Sequence, residues 1–448
     1  MITKDRKFYK LIFAIAIPVA CQNLLAFAVS MSDSVLVGKM GQDPLVAVSL
    51  ANQLFFVFMI LMFGLGSAGN IFIAQYWGKG DTKAIHKVMS IMLMSSIAFS
   101  ILFMGVAIFI PKQFMGIFTE NPVIIELGTE YLQTIFISYI FFAVTNILIN
   151  VLRSVETVKI SVIVYTVSLI VNVFLNWVLI FGNLGAPVLG VRGSAIATTI
   201  ARITEFLIVL VFIIFFENKI KFKVRKLFKT DRILLKDFTK VGGPVVLNEL
   251  LWALGSSAIA LIVAKMGEEV VAANNINNVV WQFVAVFIMG VGNAGAVIIG
   301  NTIGAAEYKK AKEYANTLVV LAIGLGIAGG LIMLAIRPYV LMLYKVPELT
   351  KEITMQIMGV SSGILVFQSL AFILMIGILR GGGDTKFVLI ADIIFLLFVA
   401  IPLGYLVAIV LKWPIPIVFI ALRCDEILKV IISLFRVKNG KWIRNVTR

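Results

Sequence analysis

Residues 45–74 read LVAVSLANQLFFVFMILMFGLGSAGNIFIA, thirty positions without a charged side chain. Within them residues 64–69 spell GLGSAG, a literal G-x-G-x-x-G, and residues 290–295 repeat the pattern as GVGNAG, 226 positions later. A dinucleotide fingerprint needs a preceding strand and a helix N-terminus for the pyrophosphate. An apolar run of about thirty residues instead has the length of a membrane-crossing helix. Small residues in such a helix let neighbouring backbones approach closely, because lipid offers no apolar driving force between helices. Both glycine motifs are therefore expected to be packing segments.

The whole chain agrees with that reading. Of its 448 residues 60% are hydrophobic and 14% charged, with a mean hydropathy of +1.04, outside the range of soluble domains. Runs of about twenty mostly apolar residues fall near 11–37, 45–74, 88–110, 131–152, 160–181 and 193–216. A second set falls near 241–264, 271–301, 315–336, 356–379, 387–411 and 415–435, which predicts twelve spans. Basic residues alternate in density between the loops: 28 of the 39 lysines and arginines lie in the N-terminus, every second loop and the tail, and eight in the intervening loops. The positive-inside rule then places both termini in the cytoplasm of a multi-pass cell-membrane protein.

The net charge of +16 follows from the same asymmetry. It needs anionic lipid at the inner face and no nucleic-acid partner. The first run is too long for a cleavable signal peptide. Cys21 and Cys424 both fall in predicted spans, which suggests neither a disulfide framework nor a zinc site. The single histidine, His86, falls in a basic loop and reads as a solvated residue. No G-x-x-x-x-G-K-[ST] occurs, and the soluble parts are too short for an ATPase domain.

The twin glycine motifs belong to a longer repeat. Laying residues 18–87 over 244–313 without a gap matches Pro18-Val19 with Pro244-Val245, Leu24-Leu25 with Leu250-Leu251, and Lys39-Met40-Gly41 with Lys265-Met266-Gly267. Asn52 falls on Asn278, Gly78 on Gly304 and Lys83 on Lys309. With small shifts RSVETVK (153–159) meets RGGGDTK (380–386), and Arg202-x-x-Glu205 meets Arg423-x-x-Glu426. Six spans separate equivalent positions, and six is even. The halves therefore share one orientation and are related by an axis along the membrane normal. The expected organisation is an N-lobe over 1–217, a basic cytoplasmic linker over 218–240 (containing KIKFKVRKLFK) and a C-lobe over 241–448.

The paired KMG turns, LRGGGDTK after span 10, NVFLNWVLIFG in span 5, GVRGSAIATTIAR opening span 6 and the closing GKWIRN together resemble the MATE (multidrug and toxic compound extrusion) family over nearly the whole chain. The resemblance implies an all-α integral membrane protein of two six-helix bundles, and a secondary active exporter rather than an enzyme. Influx of H+ or Na+ would drive efflux of small organic, often cationic, compounds, with no other cofactor. A monomer suffices for such a carrier.

Intramembrane carboxylates lead to similar machinery. A carboxylate in hydrocarbon costs roughly 2.5–3.5 kcal/mol on insertion scales, so each needs a partner or a purpose. Asp33 near the end of span 1, Asn172 and Asn176 one helical turn apart on span 5, and Thr198 on span 6 fall close to one membrane level. One carboxylate, two amides and a hydroxyl can ligate a hard cation, and a buried Asp33 could carry a proton. The same residues equally fit interhelical hydrogen bonds around a neutral acid. The resemblance implies the first use, since the family's N-lobe cation site falls on these four positions.

Glu249, eight residues into span 7, is a candidate for attracting cationic substrate or a satisfied structural acid. Span 10 carries no Asp or Glu, so the second acid that some branches place there is missing. Arg202/Glu205 and Arg423/Glu426 are spaced to form structural i, i+3 ion pairs. Asp392 is expected to be solvated from the inner side or to contact the Arg380 loop, with no transport role, and Asp384 to cap the start of span 11. The 34 Phe and 17 Met suit a deformable cleft but also lipid contact. An alternative reading is a flippase of lipid-linked intermediates, which should show a basic cleft for pyrophosphate. An intramembrane enzyme would need a cluster such as His with Glu at membrane depth.

Overall fold

The computed structural model describes residues 2–221 and 231–447, and all regular structure among them is helical. Most of the basic run KIKFKVRKLFK, assigned above to the linker, lies outside the described residues. The helices are α1 (Arg6–Gly38), α2 (Gln42–Lys79), α3 (Thr82–Phe109), the short α4 (Pro111–Gly116), α5 (Pro122–Ile135), α6 (Ser138–Ser154), α7 (Lys159–Phe181) and α8 (Gly190–Phe215). They continue as α9 (Arg232–Ala264), α10 (Glu268–Gly304), α11 (Tyr308–Met342) and α12 (Glu348–Phe372), the last running on to Arg380 in wider π-turns. After α13 (Thr385–Asp392) come π-turns over 393–400, α14 (Ile401–Tyr405) and π-turns over 406–410, then α15 (Ile415–Ala421) and α16 (Cys424–Lys438).

Ten stretches among the described residues are long and apolar enough to cross a bilayer, and α5 with α6 makes an eleventh, bent by 54°. The twelfth expected span is delivered in two pieces, α15 of 7 residues and α16 of 15, which break at Leu422–Arg423. Neither piece is long enough alone. Large apolar side chains lie open on the outside, Phe109 at 80% and Leu343 at 81% exposure, as lipid rather than water would permit.

The chain forms two compact units. One, the N unit, comprises Cys21–Gly69 and Asp81–Phe238; the other, the C unit, comprises Met1–Ala20, Asn70–Gly80 and Thr239–Arg448. In the N unit Phe58, Phe103, Tyr139 and Phe142 form a buried aromatic core, with Phe58 and Tyr139 centroids 5.3 Å apart. In the C unit Val270, Ile357, Leu396 and Val418 centre another.

The glycine motifs are packing segments. A Cβ on Gly69 would sit 2.1 Å from Met92 Sδ, and one on Gly292 2.6 Å from the Phe372 ring. The sequence repeat is also a repeat of backbone conformation, for Gly41 (φ +125°) and Gly267 (φ +124°) end their KMG turns in the same left-handed geometry, which favours glycine. At the far ends of α2 and α10, both within the C unit, the repeat becomes a contact. A Cβ on Gly78 would lie 1.9 Å from the Asn301 carbonyl oxygen, and one on Gly304 1.9 Å from that of Gln75. Gln75 and Asn301 are themselves repeat equivalents, so the contact is reciprocal, as a two-fold relation between these two segments produces.

Two expectations about loops are corrected. His86 is 6% exposed on α3, because the α2–α3 connection is a tight turn in which Asp81 Oδ1 accepts from the Ala84 N–H at 3.0 Å and starts the helix early. Asp384 stands before α13 but makes no side-chain cap. Its fully buried carboxylate instead meets Arg436 at 2.7 Å and Arg444 at 2.8 Å. Two arginines outcompete a neutral N–H for a buried anion. The tail is tied down with it: the Arg444 N–H donates to the Gly382 carbonyl at 2.9 Å, Trp442 is fully buried against Gly382, and the Gln75 amide binds the Arg444 carbonyl and the Val446 N–H at 3.1 and 2.8 Å.

Candidate functional site

Three helices of the N unit converge on Asp33, which lies five residues before the end of α1. Gly193 allows α7 and α8 to pack closely, since a Cβ there would stand 2.5 Å from the Leu179 carbonyl oxygen. At that seam Asn172 and Asn176, one turn apart on α7, are almost wholly buried, whereas Asp33 and Thr198 remain half-buried. The Asn176 side-chain NH2 donates to Asp33 Oδ1 at 2.5 Å and to Asn172 Oδ1 at 3.1 Å, and the Asn172 NH2 donates to Thr198 Oγ1 at 3.3 Å. The four residues singled out from sequence thus meet in one hydrogen-bonded chain.

Beside this chain stands a residue the sequence reading missed. Ser168, one turn further along α7 from Asn172, donates to Glu205 Oε1 at 2.5 Å. Glu205, 1% exposed, pairs with Arg202 at 3.1 Å, closing the expected i, i+3 pair. The Arg202 guanidinium lies 4.7 Å from the Phe142 ring centroid and within electrostatic range of Asp33. Polar residues at 168, 172 and 176 therefore line one stripe of α7, opposite 198, 202 and 205 on α8. The i, i+4, i+8 spacing was the signal that could have found Ser168. Tyr131 on α5, whose hydroxyl donates to Asn52 Oδ1 at 3.4 Å, also lies within range of Asp33.

One carboxylate among neutral oxygens suits a proton or a monovalent cation better than a divalent one, which gathers several charged ligands. Among the described residues no three His, Cys, Asp or Glu side chains form a metal-binding group. The buried Asn176 Oδ1 has no hydrogen-bond donor and is a ready acceptor beside the carboxylate.

The C unit's charges pair differently from expectation. Glu249 is held by Arg380 at 2.6 Å, both nearly buried. Arg423 and Glu426 form no ion pair, because Arg423 stands at the break between α15 and α16, where helical i, i+3 geometry is lost. Asp392 does not sit solvated near a loop: Lys429 of α16 binds its Oδ1 at 2.6 Å and Asn248 of α9 donates to its Oδ2 at 2.8 Å. Lys429 also binds Asp425 at 2.8 Å. Cys21 and Cys424 are free thiols.

Known proteins resemble the chain along its whole length. The family model described as MatE matches residues 18–178 and again 244–406, two matches whose starts differ by 226, the register of the internal repeat. The uncharacterized transporter YisQ of Bacillus subtilis (strain 168) is 22% identical over 435 residues, 97% of this chain and 95% of its own. The probable multidrug resistance protein NorM of Agrobacterium fabrum (strain C58) is 22% identical over 385 residues, 84% of this chain and 82% of its own. A solved structure described as "Outward-facing conformation of a multidrug resistance MATE family transporter of the MOP superfamily" superposes with a TM-score of 0.87 at 19% identity, covering 98% of this chain and 99% of that one. At that identity the likeness is one of fold.

Proposed function

Because the chain belongs to the MATE family of multidrug efflux transporters, we propose that it exports small organic, cationic compounds in exchange for inward movement of H+ or Na+. The observation that carries this reading is the Asp33–Asn176 hydrogen bond and the buried amide chain behind it. With one negative charge at the head of a polar seam, Asp33 takes up the ion, and its loss of charge changes which hydrogen bonds the seam can hold. Inward movement of one charge through 100 mV supplies about 2.3 kcal/mol, and the concentration gradient adds to it. In this reading residues 1–217 rock against 241–448 about a site open to alternate sides. Both termini face the cytoplasm of the cell membrane, and the carrier works as a monomer.

Glu249 serves this scheme through Arg380, meeting a cationic substrate only when the guanidinium yields it. The test uses purified protein in liposomes, a fluorescent organic cation, and pH and sodium gradients imposed separately. Wild type should accumulate the reporter under one gradient, and Asp33→Asn should bind the reporter but fail to accumulate it. Gradient-driven transport by Asp33→Asn at the wild-type rate would overturn the reading.

A further inference from the structure

The internal repeat provides a control for the charged cluster in the C unit. In the N unit Arg153 donates to Gln22 Oε1 at 3.0 Å, and Tyr165 lies beside the same Gln22. Gln22 is the repeat equivalent of Asn248, Arg153 that of Arg380, and on the same register Tyr165 falls on Asp392. One half therefore builds this node from Arg153 and neutral partners, with the Arg202/Glu205 pair, the counterpart of Arg423/Glu426, beside it. The other half adds Glu249, Asp392, Asp425 and Lys429 at positions whose counterparts do without them, although each buried charge must recover a large desolvation cost. Architecture alone does not call for the addition.

The added charges do not balance. Glu249 faces them from α9, Arg380 from the end of α12, Asp392 from α13, and Arg423, Cys424, Asp425, Glu426 and Lys429 from the start of α16. Arg380 neutralises Glu249, Lys429 bridges Asp392 and Asp425 with Glu426 also in its field, and Arg423 acts on Glu426 without forming an ion pair, so four carboxylates face three cations. One carboxylate is in excess. Two buried acceptors here also lack a donor, Asp425 Oδ1 and Asn248 Oδ1, although Asp425 is 2% and Asn248 4% exposed. An uncompensated negative charge beside open acceptor oxygens is the chemistry of a group that takes up a proton.

We propose that Asp425, Lys429 and Asp392 form a second exchange site, separate from Asp33, that takes up and releases one proton per transport cycle. A proton on Asp425 Oδ1 converts the carboxylate to a neutral acid and leaves Lys429 to Asp392; its release restores the three-way arrangement. A metal ion fits less well, because the Lys429 ammonium already fills the space between the carboxylates. The π-turns that begin at Ile393, directly after Asp392, give that side chain a backbone able to shift register.

This inference rests on the export reading but not on Asp33. Its test is the coupling ratio in liposomes, taken from the pH gradient at which tetraphenylphosphonium flux reverses. Asp425→Asn imitates the protonated acid and keeps the Lys429–Asp392 pair, and the Asp392→Asn/Lys429→Gln double variant removes the pair without leaving a charge alone. Wild type should move two protons per tetraphenylphosphonium, and each variant one. A wild-type ratio retained in whichever variant folds overturns the proposal, as does a ratio of one that Asp33→Asn alone abolishes. A ratio of one lost in Asp425→Asn yet kept in Asp33→Asn upholds this site and shows that Asp33 carries no proton.

Discussion

Asn176 holds Asp33 through a 2.5 Å hydrogen bond while its own carbonyl oxygen goes without a donor. The amide is thus both the clamp on the carboxylate and the nearest free ligand. Replacing it by leucine removes both. Asn176→Leu should lose at least tenfold in gradient-driven accumulation, a factor worth about 1.4 kcal/mol. Reporter uptake in liposomes checks this, and a full wild-type rate would show that the seam does not touch the ion.

Arg202 and Glu205 play another part. Glu205 is 1% exposed, so Arg202→Met would strand a buried carboxylate, a change that costs about 3–5 kcal/mol. The Arg202→Met/Glu205→Gln double variant should recover most of that loss. Thermal unfolding in detergent of these two variants and Glu205→Gln closes a cycle with wild type, and equal midpoints in Arg202→Met and the double variant would count against a structural pair.

Gly78 and Gly304 hold the ends of α2 and α10 in backbone contact. A methyl group at either position meets a carbonyl oxygen at 1.9 Å, which no rotamer relieves. Gly304→Ala should therefore part these ends. Distance measurements between spin labels at Lys79 and Lys309 should lengthen in the variant; an unchanged distribution would mean that the contact is not tight in the membrane.

Trp442 is fully buried. Trp442→Ala should cost roughly 3–5 kcal/mol and free the tail from residue 440 onward to proteolysis. Limited digestion followed by mass spectrometry reads this directly.

Outside the spans, Asp5 provides a pH marker. Its carboxylate accepts from the Tyr314 hydroxyl at 2.8 Å and from the Lys7 N–H at 2.9 Å, contacts that hold its pKa below the ordinary 3.8. A carboxylate held low stabilises the fold fully above its unfolded value and loses that contribution as pH falls through the folded one. Tyr314→Phe should thus lower the unfolding midpoint at pH 6, and the gap to wild type should narrow below about pH 4. A gap that widened on acidification would refute the assignment.

The sequence disclosed much of this because its strongest signals are periodic. Ten of the apolar runs, the Lys39-Met40-Gly41 and Lys265-Met266-Gly267 turns, and the spacing of Asn172 and Asn176 all depend on local order and are found where the pattern put them, while the runs near 131–152 and 415–435 are broken. Partnerships between distant residues left no such trace. Asp384 takes Arg436 from 52 residues away, and Lys429 chooses Asp392 because of which faces of α13 and α16 meet. The π-turns after Ile373 and Ile393 were equally silent, since Leu, Ile and Phe favour them no less than an ordinary helical turn. The break at Arg423 misled the pairing rule for the same reason: spacing presumes a helix that does not pause.

The buried Asp384 also sets a schedule for biogenesis. During synthesis its charge emerges well before Arg436, Trp442 and Arg444 have been translated. Until then the Gly382–Gly383 turn has nothing to close upon. Premature termination anywhere in that interval would leave an insertion intermediate with an unneutralised acid, the sort of defect that membrane quality-control proteases recognise.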